Sequence, residues 1–336
     1  MKNIICLAIE TSCDETSMSL IRNGEEELAT IVLSQIDIHA NYGGVVPEIA
    51  SRSHVENITL VLDELLKKTS ITLDDVDIIG IANAPGLIGS LLVGLQVAKT
   101  LSWLLNKPLI PVHHIAGHIY AANLEQRLEF PLIALVVSGG HTELIYMDKD
   151  YSFKQIGNTL DDAIGECYDK VAKILGLPYP GGPLIDALAS TGKDTYQLPL
   201  PLNDNTYNFS FSGIKSAVLN LVNQEKMKNN LIIKENIATS FQNRVLEIIV
   251  KKTIHAINEY KVRNLVVAGG VAANKELRRR LSEYTANNNI KLFIPSIKYC
   301  TDNAAMVGSA AYYAYLRNKT ADLSLDALSV KSLYQE

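Results

Sequence analysis

One order of elements occurs twice along the chain, and it restricts the possible folds more than any single motif does. "IICLAIE" (4–10) reads as a buried strand, "TSCDET" (11–16) as a polar turn and "SMSLIR" (17–22) as the returning strand. "ELATIVLSQ" (27–35) is a third strand. Ile49, Val55, Ile58, Val61, Leu62 and Leu65 recur at helical spacing within 46–68. The strand "VDIIGIA" (76–82), the glycine-bearing loop "NAPGLIGS" (83–90) and helices over 88–105 and 113–124 follow. The pattern then returns with "PLIALVVS" (131–138), the turn "GGHTE" (139–143) and "LIYMDK" (144–149). Helices at 162–175, 213–223 and 234–260 precede the strand "RNLVVAGG" (263–270). A helix in "ANKELRRRLSEY" (273–284), the strand "IKLFIP" (290–295) and a last helix over 302–317 complete it. The hairpins share little identity; what repeats is the order. It predicts an α/β fold of two related domains with a cleft between them. The expected boundaries are 1–125, completed by the helix near 302–320, then 126–300, then a tail over 321–336.

A length of 336 residues suits two cores rather than one. The hydrophobic fraction of 47% and charged fraction of 20% are those of an ordinary soluble protein. A net charge of −5 argues against nucleic-acid binding by the whole surface unaided. Cys6, Cys13, Cys167 and Cys300 are scattered and form no C-x-x-C, which argues against a zinc ribbon and a disulfide framework. The N-terminal apolar run is stopped by Glu10 and Asp14, too early for a secretory signal. No stretch approaches the roughly 18 apolar residues of a membrane helix. The expectation is a soluble, cytoplasmic chain.

Both hairpin turns carry chemistry. The first offers Thr11, Ser12, Asp14, Glu15 and Thr16; the second offers Ser138, Gly139, Gly140 and Thr142. Glycine amides and hydroxyls suit a phosphate, and either turn alone could be an ordinary hairpin turn. "VVAGGVAANKELR" (266–278) ends a strand in Gly269-Gly270 and opens a helix near Asn274, where a backbone can approach a nucleotide. "PYPGGPLID" (178–186) reads as a rigid connector ending near a helix start at Asp186. In "PVHHIAGH" (111–118), His114 and His118 stand four apart on one helical face. A zinc protease would need glutamate after the first histidine, and that place holds Ile115. "CTDNAAMVG" (300–308) adds Asp302, and a His/His/carboxylate set suits Fe(II) or Zn(II). The run "KELRRR" (275–280) reads as a solvated helix face. Phe209 and Phe211, near Ser212 and Lys215, suit either base stacking or a core.

Together, "IETSCDET", "GGVVPEIASRSH", "PGLIGSLLVG", "HHIAGH", "LVVSGGHTEL", "GECYDKVAKILGLPYPGGP", "FSFSGIKSA", "VVAGGVAANKELR" and "CTDNAAM" resemble the bacterial tRNA adenosine threonylcarbamoyltransferases, from residue 4 to 317. The resemblance implies the duplicated actin, hexokinase and Hsp70 ATPase (ribonuclease H-like) fold around a nucleotide cleft. It also implies an acyltransferase that moves threonylcarbamoyl from threonylcarbamoyl-AMP to N6 of the adenosine next to the anticodon. The acceptors would be tRNAs reading codons that begin with A, and the product t6A. It implies His114, His118 and Asp302 as ligands of one divalent metal, iron(II) first and zinc second. Val137, Ser138, Gly139, Gly140, His141, Asp169, Gly182, Asp186 and Asn274 would contact substrate, and Asp14 and Glu15 would lie near the reaction centre. No ATP is needed for transfer itself. Implied partners are tRNA, a paralogous non-catalytic subunit lacking the metal site and a small P-loop ATPase. The chain departs at Ala116, where many members carry glutamate.

Three other readings compete. An ATP-dependent kinase or ATPase of the same superfamily would use the same hairpins, but would usually hold Mg²⁺ through oxygen ligands and water rather than histidines. A nucleotide-gated scaffold would not need the histidines for its function. The protease reading is opposed by Ile115.

Overall fold

The first apolar run forms strand β1 (Ile5–Glu10), buried from Cys6 onward. It pairs antiparallel with β2 (Glu15–Arg22), setting Ile9 opposite Met18 and Leu7 opposite Leu20. β2 pairs in turn with β3 (Glu26–Ser34), with a bulge at Leu20/Ile21. A short helix α1 (Ile36–Ala40) leads to α2 (Pro47–Lys68), which carries Pro at its start, where a missing N–H costs nothing. Then come β4 (Ile78–Ala84), α3 (Ile88–Leu105), β5 (Leu109–His113) and α4 (His114–Ala121). β4 lies parallel between β1 and β5, so the sheet order is β3-β2-β1-β4-β5.

The second run gives β6 (Leu132–Val137), β7 (Thr142–Met147) and β8 (Lys154–Asn158). Helices α5 (Ile164–Ile174), α6 (Gly181–Ala189), α7 (Ser212–Met227) and α8 (Lys234–Tyr260) follow. β9 (Asn264–Ala268), α9 (Lys275–Asn287) and β10 (Lys291–Phe293) close this sheet in the order β10-β9-β6-β7-β8. Counted from the hairpin outward, this is the order of the first sheet, with the parallel strands again beside the first hairpin strand. The repeat read from the sequence is therefore a repeat of topology.

The computed structural model describes residues 3–333, in two units. One holds the described residues up to Glu129, Lys149–Phe153 and those from Pro295 onward; the other holds Phe130–Asp148 and Lys154–Ile294. The last helix, α10 (Ala304–Leu316), thus returns to the first unit. It packs across β1, β2, β4 and β5, and its small residues allow a close approach. A Cβ on Gly308 would stand 2.5 Å from Ile21 Cγ1, and one on Gly80 in β4 would stand 2.7 Å from Ala311 Cβ. On the other face Leu91, Leu95, Ala98 and Leu101 of α3 join Ile58, Val61 and Leu65 of α2 over Leu7, Ile9, Ile79 and Ile81. Residues after α10 also belong here: Ala321 bridges Leu109, and Ala327 is buried in this core.

Several expectations need correcting. Helix α3 is long and apolar enough, by length and composition, to cross a membrane; the sequence reading excluded any such stretch. One face of α3 packs into the core just described. β2 begins at Glu15, inside the segment read as turn, because Glu15 already pairs with Ser34. β8, α1 and the true start of α6 escaped the reading. α6 begins at Gly181, so Asp186 lies within it and not at a helix start.

Candidate active site

α4 starts where β5 ends, and its first turn is capped by His113, whose Nδ1 accepts the Ile115 amide at 3.3 Å. His113 Nε2 lies 2.9 Å from the Lys331 carbonyl, which makes its role structural. Burial, its main cause, lowers the His113 ring to about 4. One helical turn separates His114 from His118, whose rings meet edge to face with centroids 4.6 Å apart. Asp302 precedes α10, whose first turn is capped by Asn303 through the Met306 amide. Its Oδ1 stands 3.4 Å from His114 Nε2 and 3.2 Å from His118 Nε2. One ligand atom from each residue lies within 4.8 Å of the others. All three belong to the first unit.

The donor set fits a divalent metal. His118 is fully buried, and neither ring nitrogen has a partner in hydrogen-bond geometry among the described residues. A buried imidazole so placed is costly unless something takes its lone pair. His114 turns Nδ1 to Ser12 Oγ (3.1 Å) and Glu10 Oε2 (3.2 Å), which leaves Nε2 for the shared space. Burial opposes charge on His114, yet Asp302 and Glu10 hold it well above its ordinary value. Burial would raise Asp302, and the two histidines hold it well below the carboxylate range. Two nitrogens and an oxygen at this spacing suit iron(II) or zinc(II).

The turn between β1 and β2 brings Asp14 and Glu15 to the same unit, both buried. Ser34 donates to Glu15 Oε1 at 3.1 Å. Burial, then the charges of Asp302 and Asp14, push Glu15 up to about 10. His54 holds the turn from behind: Nε2 donates to the Cys13 carbonyl (3.0 Å), so Nδ1 accepts from Thr16 Oγ1 (2.7 Å).

In the second unit the turn after β6 is closed by Ser138, whose N–H donates to His141 O (2.8 Å) while its Oγ accepts the His141 amide (3.1 Å). A Cβ on Gly139 or Gly140 would meet nothing within 4 Å, so this loop is an open cradle. Val137 is buried beneath it, and a Cβ on Gly269 would stand 2.4 Å from Val137 O. Gly269 has φ +92°, a value that demands glycine. Asp169 Oδ1 accepts the amides of Gly181 (2.7 Å) and Gly182 (3.2 Å), fixing the start of α6. Asp186 Oδ1 accepts from Asn274 Nδ2 (3.0 Å) and Gln242 Nε2 (3.1 Å), while Asn274 Oδ1 caps α9 through Leu277. Asp186 and Asn274 are therefore one network, joined by Gln242.

Glu10, His54 and Gln242 were not singled out in the sequence as members of these networks. Glu10 ends a buried strand, and a carboxylate in that place is a signal that could have been used. Two weaker readings resolve plainly. Phe209 and Phe211 are buried and stacked, with centroids 6.1 Å apart, while Lys215 pairs with Asp162 at 2.9 Å. They form core and not a base platform. In the basic run Arg279 and Arg280 pair with Glu276, and Arg278 donates to the Ala272 carbonyl.

Comparison with known proteins fits this architecture. The family model described as tRNA N6-adenosine threonylcarbamoyltransferase matches residues 26–309. The protein of that name from Staphylococcus haemolyticus is 57% identical over 97% of this chain and 95% of its own length. That from Staphylococcus aureus is 55% identical over 98% and 96%. Among solved structures, full-length HypF in a phosphate- and nucleotide-bound form superposes with TM-score 0.62 at 16% identity. It covers 94% of this chain, which spans under half (46%) of HypF. Component A of the Acidaminococcus fermentans (R)-2-hydroxyglutaryl-CoA dehydratase gives TM-score 0.53 at 14% identity, covering 92% and 98%. These two share the fold alone.

Proposed function

The chain belongs to the tRNA N6-adenosine threonylcarbamoyltransferase family, and from that premise we propose that it forms t6A by acyl transfer from threonylcarbamoyl-AMP to tRNA. The acceptor would be N6 of the adenosine next to the anticodon, in the cytoplasm. The observation that carries this reading is the His114–His118–Asp302 set in the same unit as the Asp14–Glu15 turn. The donor is a mixed anhydride, so AMP leaves readily. The acceptor is an aromatic amine, a poor nucleophile. The protein's task is to orient both and to receive a proton.

N6 attacks the carbamoyl carbon, the carbon–oxygen bond to phosphate breaks, and AMP departs with that electron pair. We assign Asp14 as acceptor of the N6 proton, a role that contributes roughly 10²–10⁴-fold. Glu15 would stand beside it as the turn's second carboxyl, held by Ser34. Glu10 and Ser12 orient His114. His114, His118 and Asp302 would hold iron(II), or zinc(II), which supplies a Lewis acid for an oxygen of the donor. The cradle Val137–His141 and the residues Asp169, Gly182, Asp186 and Asn274 would take the adenylate. Alanine at position 116 is fully buried in α4, so the glutamate common in the family would add a carboxylate beside the histidines. A paralogous subunit and a small P-loop ATPase would compensate for an acidic surface in binding tRNA.

The test is a transfer assay with threonylcarbamoyl-AMP, tRNA, the chain and its partners, with and without chelator. Modified adenosine that disappears with chelator and returns with iron(II) is expected. Its absence from the complete mixture overturns the reading. An Asp14→Asn variant that retains both metal content and full transfer rate would remove the base role.

A further inference from the structure

The motif "PGLIGSLLVG" has so far been given no chemistry. It forms the first turn of α3, beyond the carboxyl ends of the parallel strands β1 and β4, where α/β sheets place their ligands. The turn is held against the carboxylate hairpin. Leu87 N–H donates to Ser12 O at 2.8 Å, and Thr11 Oγ1 donates to Ser90 O at 2.8 Å and accepts Gly94 N–H at 3.2 Å. A Cβ on Gly86 would stand 2.6 Å from Ser12 O, and one on Gly94 would stand 2.4 Å from Thr11 Oγ1. Glycine at these positions lets the helix start touch the hairpin.

Two independent features mark this helix start as a binding place. The amides of Ile88, Gly89 and Ser90 have no acceptor among the described residues, and Leu87 provides no capping side chain. Ser90 itself is fully buried, and its Oγ has no partner among the described residues. Cα–Cβ bonds in a helix tilt toward its N-terminus. The Cβ of Ser90, third in the helix, therefore leans toward the turn that carries the free amides, and its carbonyl and Gly94 N–H on the same helical face both meet Thr11 Oγ1. Amides plus a hydroxyl at a helix start form an anion site. The hydroxyls of Thr11 and Thr16 are already engaged, with Ser90 O and with His54, and Ser12 Oγ lies against His114, so the free amides of α3 and Ser90 Oγ are the donors left for an anion beside this hairpin.

We infer that the first turn of α3, with Ser90 Oγ, holds the carboxylate of the donor's threonyl group. The inference rests on the donor proposed above. That carboxylate is one carbon removed from the carbamoyl nitrogen, so it must be held beside the reacting centre. Ser12 supplies the connection: its carbonyl takes the Leu87 amide, and its Oγ contacts His114.

The experiment compares two stable ligands, each with a sulfamate in place of the phosphate. One is the threonylcarbamoyl adenosine; the other is its N-(2-hydroxypropyl) counterpart, which lacks only the carboxylate. Both are titrated calorimetrically into the metal-loaded full chain, wild type and Ser90→Ala. The variant should bind the carboxylated ligand about tenfold more weakly and the carboxylate-free ligand as the wild type does. Its thermal midpoint should be unchanged or higher, since it loses a buried hydroxyl without a partner. An equal loss for both ligands, no loss for the carboxylated one, a lowered midpoint, or no binding of either ligand to wild type overturns the inference. Failure of the function itself shows elsewhere, as missing t6A in the complete transfer assay while the ligands still discriminate.

Discussion

His118 is buried with Asp302 as its only near polar neighbour among the described residues, 3.2 Å from Nε2 but not in hydrogen-bond geometry, whereas His114 is held by Glu10 and Ser12. The two histidines therefore contribute differently. His118→Ala should abolish metal binding, measured by metal content after dialysis, while the far-ultraviolet circular dichroism stays that of the wild type. Glu10→Gln keeps the shape but removes the charge that orients His114. It should lower metal affinity about 10–100-fold, read by competition with a chromophoric chelator. The spacing of His114 and His118 made that pair legible in the sequence, since a helix brings positions four apart onto one face. Glu10 was not legible as their support. Nothing local ties residue 10 to residue 114; the parallel pairing of β1, β4 and β5 does.

Elements were legible where periodicity was strong and obscure where one residue type carried two meanings. Both hairpins and the long α8 follow from their apolar patterns. The start of α6 was hidden because Pro178, Pro180 and Pro183 look like a connector, although proline is welcome at a helix start. Gly269 is a case where one element depends on a single backbone value. Gly269→Ala meets both the positive φ and the Val137 carbonyl. It should cost about 1–3 kcal/mol, seen as a lowered urea midpoint. The start of α9 gives a pH dependence. Hydrogen bonds from Arg279, then the charges of Arg280 and Arg279, lower Glu276 from 4.5 to about 2. Its folded-state value lies below its unfolded one, so its stabilisation is complete above about 4.5 and is lost as pH falls toward 2. Urea midpoints of wild type and Glu276→Gln should differ most above pH 5 and converge near pH 2.

At the scale of the molecule the duplicated order of strands was readable, because it is a property of the pattern rather than of any side chain. Residues 149–153 also dock in the first unit, which no pattern announces, since a short hairpin tip leaves no periodic signal. A ligand that binds only the folded state stabilises by mass action. Metal at a hundredfold excess over its dissociation constant should add about 2.7 kcal/mol, and chelation should remove it. Hydrogen exchange should place the gain in α4, α10 and β1, with α8 and β9 little changed. Protection spread evenly over both units would contradict a site confined to the first. The first unit is also discontinuous: His114 and His118 come from its early part, Asp302 from the segment after Ile294. During synthesis both histidines are made before the 183 residues that separate His118 from Asp302. For that interval the sheet lacks its covering helix and the histidine pair lacks its carboxylate. The second unit ends at Ile294 and can be finished first, and the centre can close only after Asp302 has followed it.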